Sequence, residues 1–400
     1  MTLRVLLVHN YYRQNAGEDA SFAAEEKYLV EDPEVEVFSY IRDSADIDTY
    51  GLRDKSRLAL ETVWSRRSRG GIDRLIDEVR PDVVHAHNTF PLVSPSVLSA
   101  CAGKGIPLVH TVRNFRMFCA KAIFFRDGHI CEDCVGRTPP WPGVVHACYR
   151  GSRMQSAVVV SMQALNASRG TWREPTAYIV PTAFVRDKLA RLGFNRETIV
   201  VKPDIVIPDP GPIGKKEDFA LFVGRFTEGK GIPTLVRAWS HLPHIPLKLV
   251  GSGPGELEIR NLVEAHGLVG AVDFVGEMSR SRVLELMQRA KFVIMPSESY
   301  ETFGRIAVES FACGTPVIAS RIEALTETIQ EGKTGLHFSP GQADDLARKI
   351  KWMSDHPAET EKMARRARLE YESTYSADKL HESLVSIYRA LMAGVPLAAE

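Results

Sequence analysis

Short apolar runs, each coupled to a stretch with helical spacing, recur in two series along this chain, and that alternation most constrains its fold. A short apolar run bounded by turn residues suits a strand buried on both faces. Such strands alternating with helices build a parallel sheet covered on each side. In the first series residues 5–8, 35–38, 82–87 and 107–111 read as strands, with helical patterns at 71–80 and 94–102. The second series has strands at 219–223, 247–250, 272–275, 292–295 and 316–319, with helical patterns at 232–241, 256–266, 281–289 and 302–313. Between them lies Ile207-Pro-Asp-Pro-Gly-Pro-Ile-Gly214, whose three prolines and two glycines suit an interdomain linker. Four hundred residues also exceed what one hydrophobic core usually serves.

The expected architecture is therefore α/β, with two Rossmann-like, doubly wound domains. The first covers 1–206, a linker 207–216, and the second 217–377; a final helix in 378–400 crosses back to the first domain. Ligands of open parallel sheets bind outside the carboxyl ends of the strands, so two such domains facing each other would hold one in a central cleft.

Fifty basic and fifty acidic residues balance, which argues against a nucleic-acid partner. The apolar run at residues 5–8 is too short for a signal-peptide core, and no run approaches the roughly 18 apolar residues that cross a bilayer. A cytoplasmic protein is expected, at most peripheral at the inner face of the membrane. Trp64-Ser-Arg-Arg-Ser-Arg69 with Arg53, Lys55, Arg57 and Arg74 forms a basic patch. It reads as a solvated helix face, or as a contact for anionic headgroups if the acceptor is lipid-linked.

Three motifs carry chemistry. Gly224-Arg-Phe-Thr-Glu-Gly-Lys-Gly231 lies between a strand and a helix. Gly224 permits a tight turn, and Arg225 and Lys230 place two cations where phosphate would sit. Val250-Gly-Ser-Gly-Pro-Gly255 lacks the third glycine of a dinucleotide fingerprint, because Glu256 occupies that position. A nicotinamide cofactor is thereby disfavoured, and Gly251 is left as a site of close backbone approach. In Ser297-Glu-Ser-Tyr-Glu-Thr-Phe-Gly-Arg-Ile-Ala-Val-Glu309, a helix starting at Thr302 or Phe303 would offer free N–H groups to a diphosphate. Glu301 and Glu309 would stand about 12 Å apart along it, which suits hydroxyls on opposite sides of the diphosphate. Glu309 sits among Ile306, Ala307, Val308 and Phe311, where an unpaired carboxylate is costly.

Gly224-Arg-x4-Lys230, Gly251-Ser-Gly253 and Glu301-x7-Glu309 followed by Ala312-Cys-Gly-Thr-Pro-Val-Ile-Ala-Ser320 resemble the retaining glycosyltransferases of family 4, with the GT-B fold. His9-Asn-Tyr-Tyr, Gly17-Glu18 and His85-Ala-His-Asn-Thr-Phe90 resemble bacterial members that build surface polysaccharides. The resemblance implies that Arg225 and Lys230 hold the diphosphate of a UDP- or GDP-sugar, Glu309 its ribose, and Glu301 the transferred sugar. It also implies a backbone phosphate site at Phe303, Gly304 and Arg305, and Gly17 as the small residue beneath the donor. The acceptor would be a saccharide or lipid-linked saccharide, and no catalytic metal is implied. A non-catalytic nucleotide-sugar-binding protein or a nucleotide-sugar epimerase are the alternatives.

One departure stands in the loop after the fourth strand, where many relatives have a histidine and this chain has Arg113, which cannot act as a base at neutral pH. His85 and His87 are the substitutes, with His110 nearby but pointing differently; each is otherwise a satisfied polar residue at a strand end. Cys119, Cys131, Cys134 and Cys148 include one C-x2-C knuckle. They read as reduced buried cysteines or as a structural zinc site, with His129 and His146 as alternative ligands.

Overall fold

The computed structural model describes residues 2–13 and 17–397. The chain divides into two compact units, one formed by 1–124, 131–205 and 378–400, the other by 125–130 and 206–377.

The first part of the chain contributes β1 (Leu3–Tyr11), β2 (Val35–Asp43), β3 (Val83–Ala86) and β4 (Leu108–Thr111). A hairpin follows with strands β5 (Phe125–Arg126) and β6 (His129–Ile130), then β7 (Ala177–Val180) and β8 (Ile199–Val201). Without the hairpin, these strands form one sheet in the order β2-β1-β3-β4-β7-β8, parallel throughout. Every residue of β3, β4 and β7 is buried, as strands covered on both faces must be. The segment 94–102, expected as a helix, forms only the 3-10 turn Pro95–Ser99, opened by the Ser94 side chain accepting from Ser96 N.

The second unit contains β9 (Ala220–Val223), β10 (Leu247–Val250), β11 (Val272–Gly276), β12 (Phe292–Met295), β13 (Val317–Ser320) and β14 (Gly335–Phe338). Their order is β11-β10-β9-β12-β13-β14, again parallel. Its two core layers lie on opposite sheet faces. Phe222, Trp239 and Leu249 belong to one, and Leu221, Val293 and Phe311 to the other. The alternation of Leu221 and Phe222 between the layers is the period-two signature of a doubly covered strand.

In the first unit the core joins Val5 and Leu7 of β1 to Phe22 and Leu29 of the helix Gly17–Glu31, and to Leu384, Val385 and Tyr388 of the helix Ala377–Met392. A charged cluster is enclosed as well. Glu25, only 1% exposed, meets Lys202 Nζ at 2.8 Å and Arg113 Nη2 at 3.1 Å, and Arg113 Nε donates to Asp204 at 2.7 Å. Burial alone would raise the Glu25 carboxyl, but the charges of Lys202 and Arg113 outweigh it and hold the group at about 2. A carboxyl depressed in the folded state contributes stability that is present above its ordinary value of 4.5 and lost as pH falls toward 2. Lys202→Met removes half of the compensation and should cost about 3–5 kcal/mol at neutral pH. Urea denaturation followed by circular dichroism measures this, and the gap to the wild type should shrink as Glu25 protonates below pH 4.5.

Candidate functional site

In the second sheet the strand order changes direction between β9 and β12, so the loops leaving those neighbours diverge where open sheets take ligands. The loop after β9 is the 224–231 glycine motif, and the loop after β12 runs from Pro296 to Gly304. They are laced by backbone: Gly229 O accepts from Glu298 N at 2.7 Å and from Ser299 N at 3.1 Å. At Gly231, with φ 67°, a Cβ would stand 1.7 Å from the Pro296 carbonyl oxygen. On the other side, Phe226 N donates to Ser252 O and Gly255 N to Phe226 O. Gly251, with φ 134°, would bring a Cβ within 2.0 Å of the Gly224 carbonyl oxygen.

That lacing sets the side chains. Lys230 Nζ donates to Glu301 Oε1 at 2.5 Å, and Ser297 Oγ donates to the same oxygen at 2.7 Å. Phe226 is buried beside Arg225, whose side chain is exposed and has no carboxylate partner among the described residues. Replacing Gly231 by Ala should therefore separate the loops, lowering the thermal midpoint and freeing Lys230 from Glu301. An unchanged midpoint would mean that Pro296 yields without cost.

The helix expected to start at Thr302 or Phe303 runs instead from Arg305 to Ala312. Gly304, at φ 83°, caps it in a left-handed conformation, and Phe303 is buried before it. Glu309 therefore lies one turn inside the helix rather than two. It is fully buried and forms ion pairs with Arg305, at 2.7 Å, and with Arg280, the first residue of the helix Arg280–Arg289. Burial, then the charge of Arg305, pushes the Arg280 guanidinium down to about 9. Sequence reasoning missed Arg280: its partner is 29 residues away on another helix, and no spacing signals such a pair. Glu309→Ala leaves two guanidiniums crowded without a counter-charge and should cost about 3–5 kcal/mol in denaturant titration.

In the first sheet the corresponding reversal lies between β1 and β3. A cavity of about 50 Å³ opens there, lined by His9, Glu18, His87, Asn88, His110, Arg113, Asn114 and Arg116 among others. Gly17 is exposed at the head of its helix. Next to it, Glu18 accepts from Asn114 Nδ2 at 2.9 Å, and burial raises its carboxyl above the ordinary range.

His85 and His87 stand with ring centroids 3.9 Å apart. Neither is placed as a base. His85 is bonded through both nitrogens, to Tyr388 and Thr111 at 2.6 Å each, and burial lowers it to about 3. His87 Nδ1 accepts from Arg113 Nη1 at 2.8 Å, so its proton is on Nε2 and it can only donate to a ligand. His110, buried, is lowered to about 4. Two imidazoles lining the cavity, His9 and His110, have an Nδ1 with no hydrogen-bond partner among the described residues. His9 Nε2 donates to Asp19 at 3.0 Å and its ring stacks on Phe22 at 4.0 Å.

All six cysteines are free thiols. Cys134 is pushed up to about 11 by burial and by the neighbouring Cys119, Cys148 and Cys131 thiols, so the four do share a neighbourhood. Yet no group of three or more His, Cys, Asp or Glu side chains among the described residues is arranged to hold a metal ion.

These two sheets, each with its loops gathered at a reversal of strand order, are matched by known families over most of the chain. Residues 206–370 match the glycosyl transferases group 1, and residues 30–204 the glycosyl transferase 4-like domain. A glycogen synthase of Mycobacterium tuberculosis is 26% identical over 327 residues, covering 79% of this chain and 70% of its own. A D-inositol 3-phosphate glycosyltransferase of Nocardiopsis dassonvillei is 32% identical over 229 residues, 54% of this chain and 48% of its own. Among solved structures, a sucrose-phosphate synthase from Thermosynechococcus elongatus superposes with TM-score 0.71 at 19% identity, over 98% of this chain and all of its own. HepE of Anabaena, in complex with UDP-glucose, does so with TM-score 0.68 at 16% identity, over 97% and 100%. The chain belongs to the glycosyltransferases of the GT-B fold and family 4 type.

Proposed function

We propose that this glycosyltransferase takes a nucleoside diphosphate-sugar in its second unit and transfers the sugar with retention of anomeric configuration. The observation that carries this reading is the cationic pair at the β9–β12 reversal: Arg225 is exposed with no carboxylate partner among the described residues, and Lys230 is hydrogen-bonded to Glu301. Two cations there suit a diphosphate, and a carboxylate beside them suits sugar hydroxyls. The similar fold of HepE, described in complex with UDP, with UDP and glucose, and with UDP-glucose, supports a donor of that class.

Arg225 and Lys230 would grip the diphosphate, with the Arg305 end of its helix completing the anion site, and Glu301 would orient the sugar. Glu309 would receive ribose hydroxyls in exchange for Arg280, whose side chain is 35% exposed and can swing aside. In the transfer, the acceptor oxygen bonds to the anomeric carbon as the bond to the phosphate oxygen breaks. The electron pair leaves with the phosphate, and the acceptor proton passes to a phosphate oxygen on the same face. The two cations stabilise the departing charge. The acceptor, a saccharide or lipid-linked saccharide, would occupy the first unit, in a pathway of polysaccharide or glycoconjugate synthesis at the cytoplasmic face of a membrane.

Calorimetry against UDP- and GDP-sugars tests the donor. Lys230→Ala should weaken binding about 10–100-fold, the loss of one charge-assisted hydrogen bond. Proton NMR of the product should show the donor's anomeric configuration. Binding with no transfer to any saccharide acceptor would favour a silent binding protein, and an epimerised donor without acceptor would favour an epimerase.

A further inference from the structure

From 134 to 173 the chain has forty residues with five arginines and neither aspartate nor glutamate, in a protein whose charges otherwise balance. Part of this stretch makes an outward face of the first unit. The short helix Pro142–Val145 packs on the helix Arg153–Ser168. Its Gly143 turns inward, where a Cβ would lie 3.2 Å from Val160 Cγ2 and 3.3 Å from Ala120 Cβ. Trp141 and Val145, one turn apart, are left outward, 51% and 49% exposed, and Met154 on the adjoining helix is 78% exposed. Among the described residues Trp141 is the one large aromatic exposed to this degree.

Cations rim these apolar groups. Arg137 lies over the Trp141 ring at 5.4 Å and Arg150 over the Tyr149 ring at 5.3 Å, while Arg153 opens the longer helix. None of the three forms an ion pair with a carboxylate among the described residues. The segment is tied in place by Tyr149 N donating to Ser156 Oγ at 2.9 Å and Cys148 N to Gly143 O at 3.0 Å. In the patch at 53–74 the seven basic residues are interspersed with three acids, and two of the cations are paired, Arg57 with Glu61 and Arg69 with Asp73.

We infer that the face built by Arg137, Trp141, Val145, Arg150, Arg153 and Met154 docks on an anionic bilayer surface. A tryptophan, a methionine and a valine enter the headgroup boundary, and the guanidiniums pair with lipid phosphates from its rim. The apolar contribution is three side chains rather than a spanning segment, so the attachment is interfacial and reversible. It does not depend on the donor chemistry.

Flotation of the full chain with vesicles tests it, comparing phosphatidylcholine alone with phosphatidylcholine–phosphatidylglycerol mixtures. The wild type should float with the anionic vesicles only, less so at high salt. The double variants Arg137→Glu/Arg153→Glu and Trp141→Ser/Met154→Ser should each lose about tenfold or more in partitioning. Arg53→Glu/Lys55→Glu, on the helix Leu52–Val63, should bind like the wild type. Trp141 fluorescence, isolated as the difference from Trp141→Phe, should shift to the blue on anionic vesicles and report insertion even where a double variant folds poorly. Equal flotation with both vesicle types would overturn the proposal. So would binding unaffected by both double variants, loss with the 53/55 variant alone, or an unshifted Trp141. Donor calorimetry is run without lipid, so failure here and failure of the donor reading are told apart.

Discussion

The closeness of two backbones at Gly231 governs the second unit. A carbonyl oxygen, Pro296 O, occupies the space any Cβ would need there, and Gly229 O gathers two N–H groups of the same opposing loop. Parallel sheets end in loops that would otherwise be free to wander. Here the loops after β9 and β12 hold each other, so Lys230 meets Glu301 without reliance on a flexible side chain finding its partner. Gly251 repeats the device on the β10 side, where Gly224 O is the intruding atom. A cation and a carboxylate held before any ligand arrives lose less conformational entropy on binding than mobile ones would.

Both units also contain a carboxylate enclosed between two cations. Glu25 lies between Lys202 and Arg113, and Glu309 between Arg280 and Arg305. The environments differ in a way that matters. The Glu25 set is closed, since Arg113 is further neutralised by Asp204 and every member is buried. Its Arg113 lines the first unit's cavity and donates to His87 Nδ1, which keeps the His87 proton on Nε2. The Glu309 set is open on one side, where Arg280 is partly exposed. A closed set resists pH change above about 4.5, whereas an open one can exchange a guanidinium for a ligand hydroxyl.

What was legible in the sequence follows from range. The parallel sheets could be read because a strand buried on both faces writes its environment locally, as in 219–223 or 292–295. Glycine motifs were legible for the same reason, since Gly224, Gly251 and Gly304 each sit in a loop immediately after a strand. The pairing of Glu309 with Arg280, and of Glu25 with Lys202 177 residues away, could not be read, because only the folded chain brings those elements together. The helix start near Thr302 was misplaced because Gly304 takes a left-handed conformation that no pattern of apolar spacing records. His85 offered itself as a base by its position at a strand end. Its partner Tyr388, 303 residues on, turns it into part of the framework that seats the final helix on the first sheet.

Zero net charge and an anionic-surface contact are compatible because charge is segregated along the chain. In the helix Leu52–Val63, Arg57 has Glu61 one turn away, and such pairs cancel beyond a few ångströms. The stretch 134–173 contains no acid of its own, and of the acids at its leading edge Glu132 is already paired with Lys188, so its arginines carry a local positive field toward a bilayer. Charge alone would hold the protein loosely at such a surface, and exposed apolar side chains alone would favour aggregation. Trp141 and Met154 with arginines around them restrict that risk, because the same guanidiniums that attract lipid phosphate repel a second copy of this face.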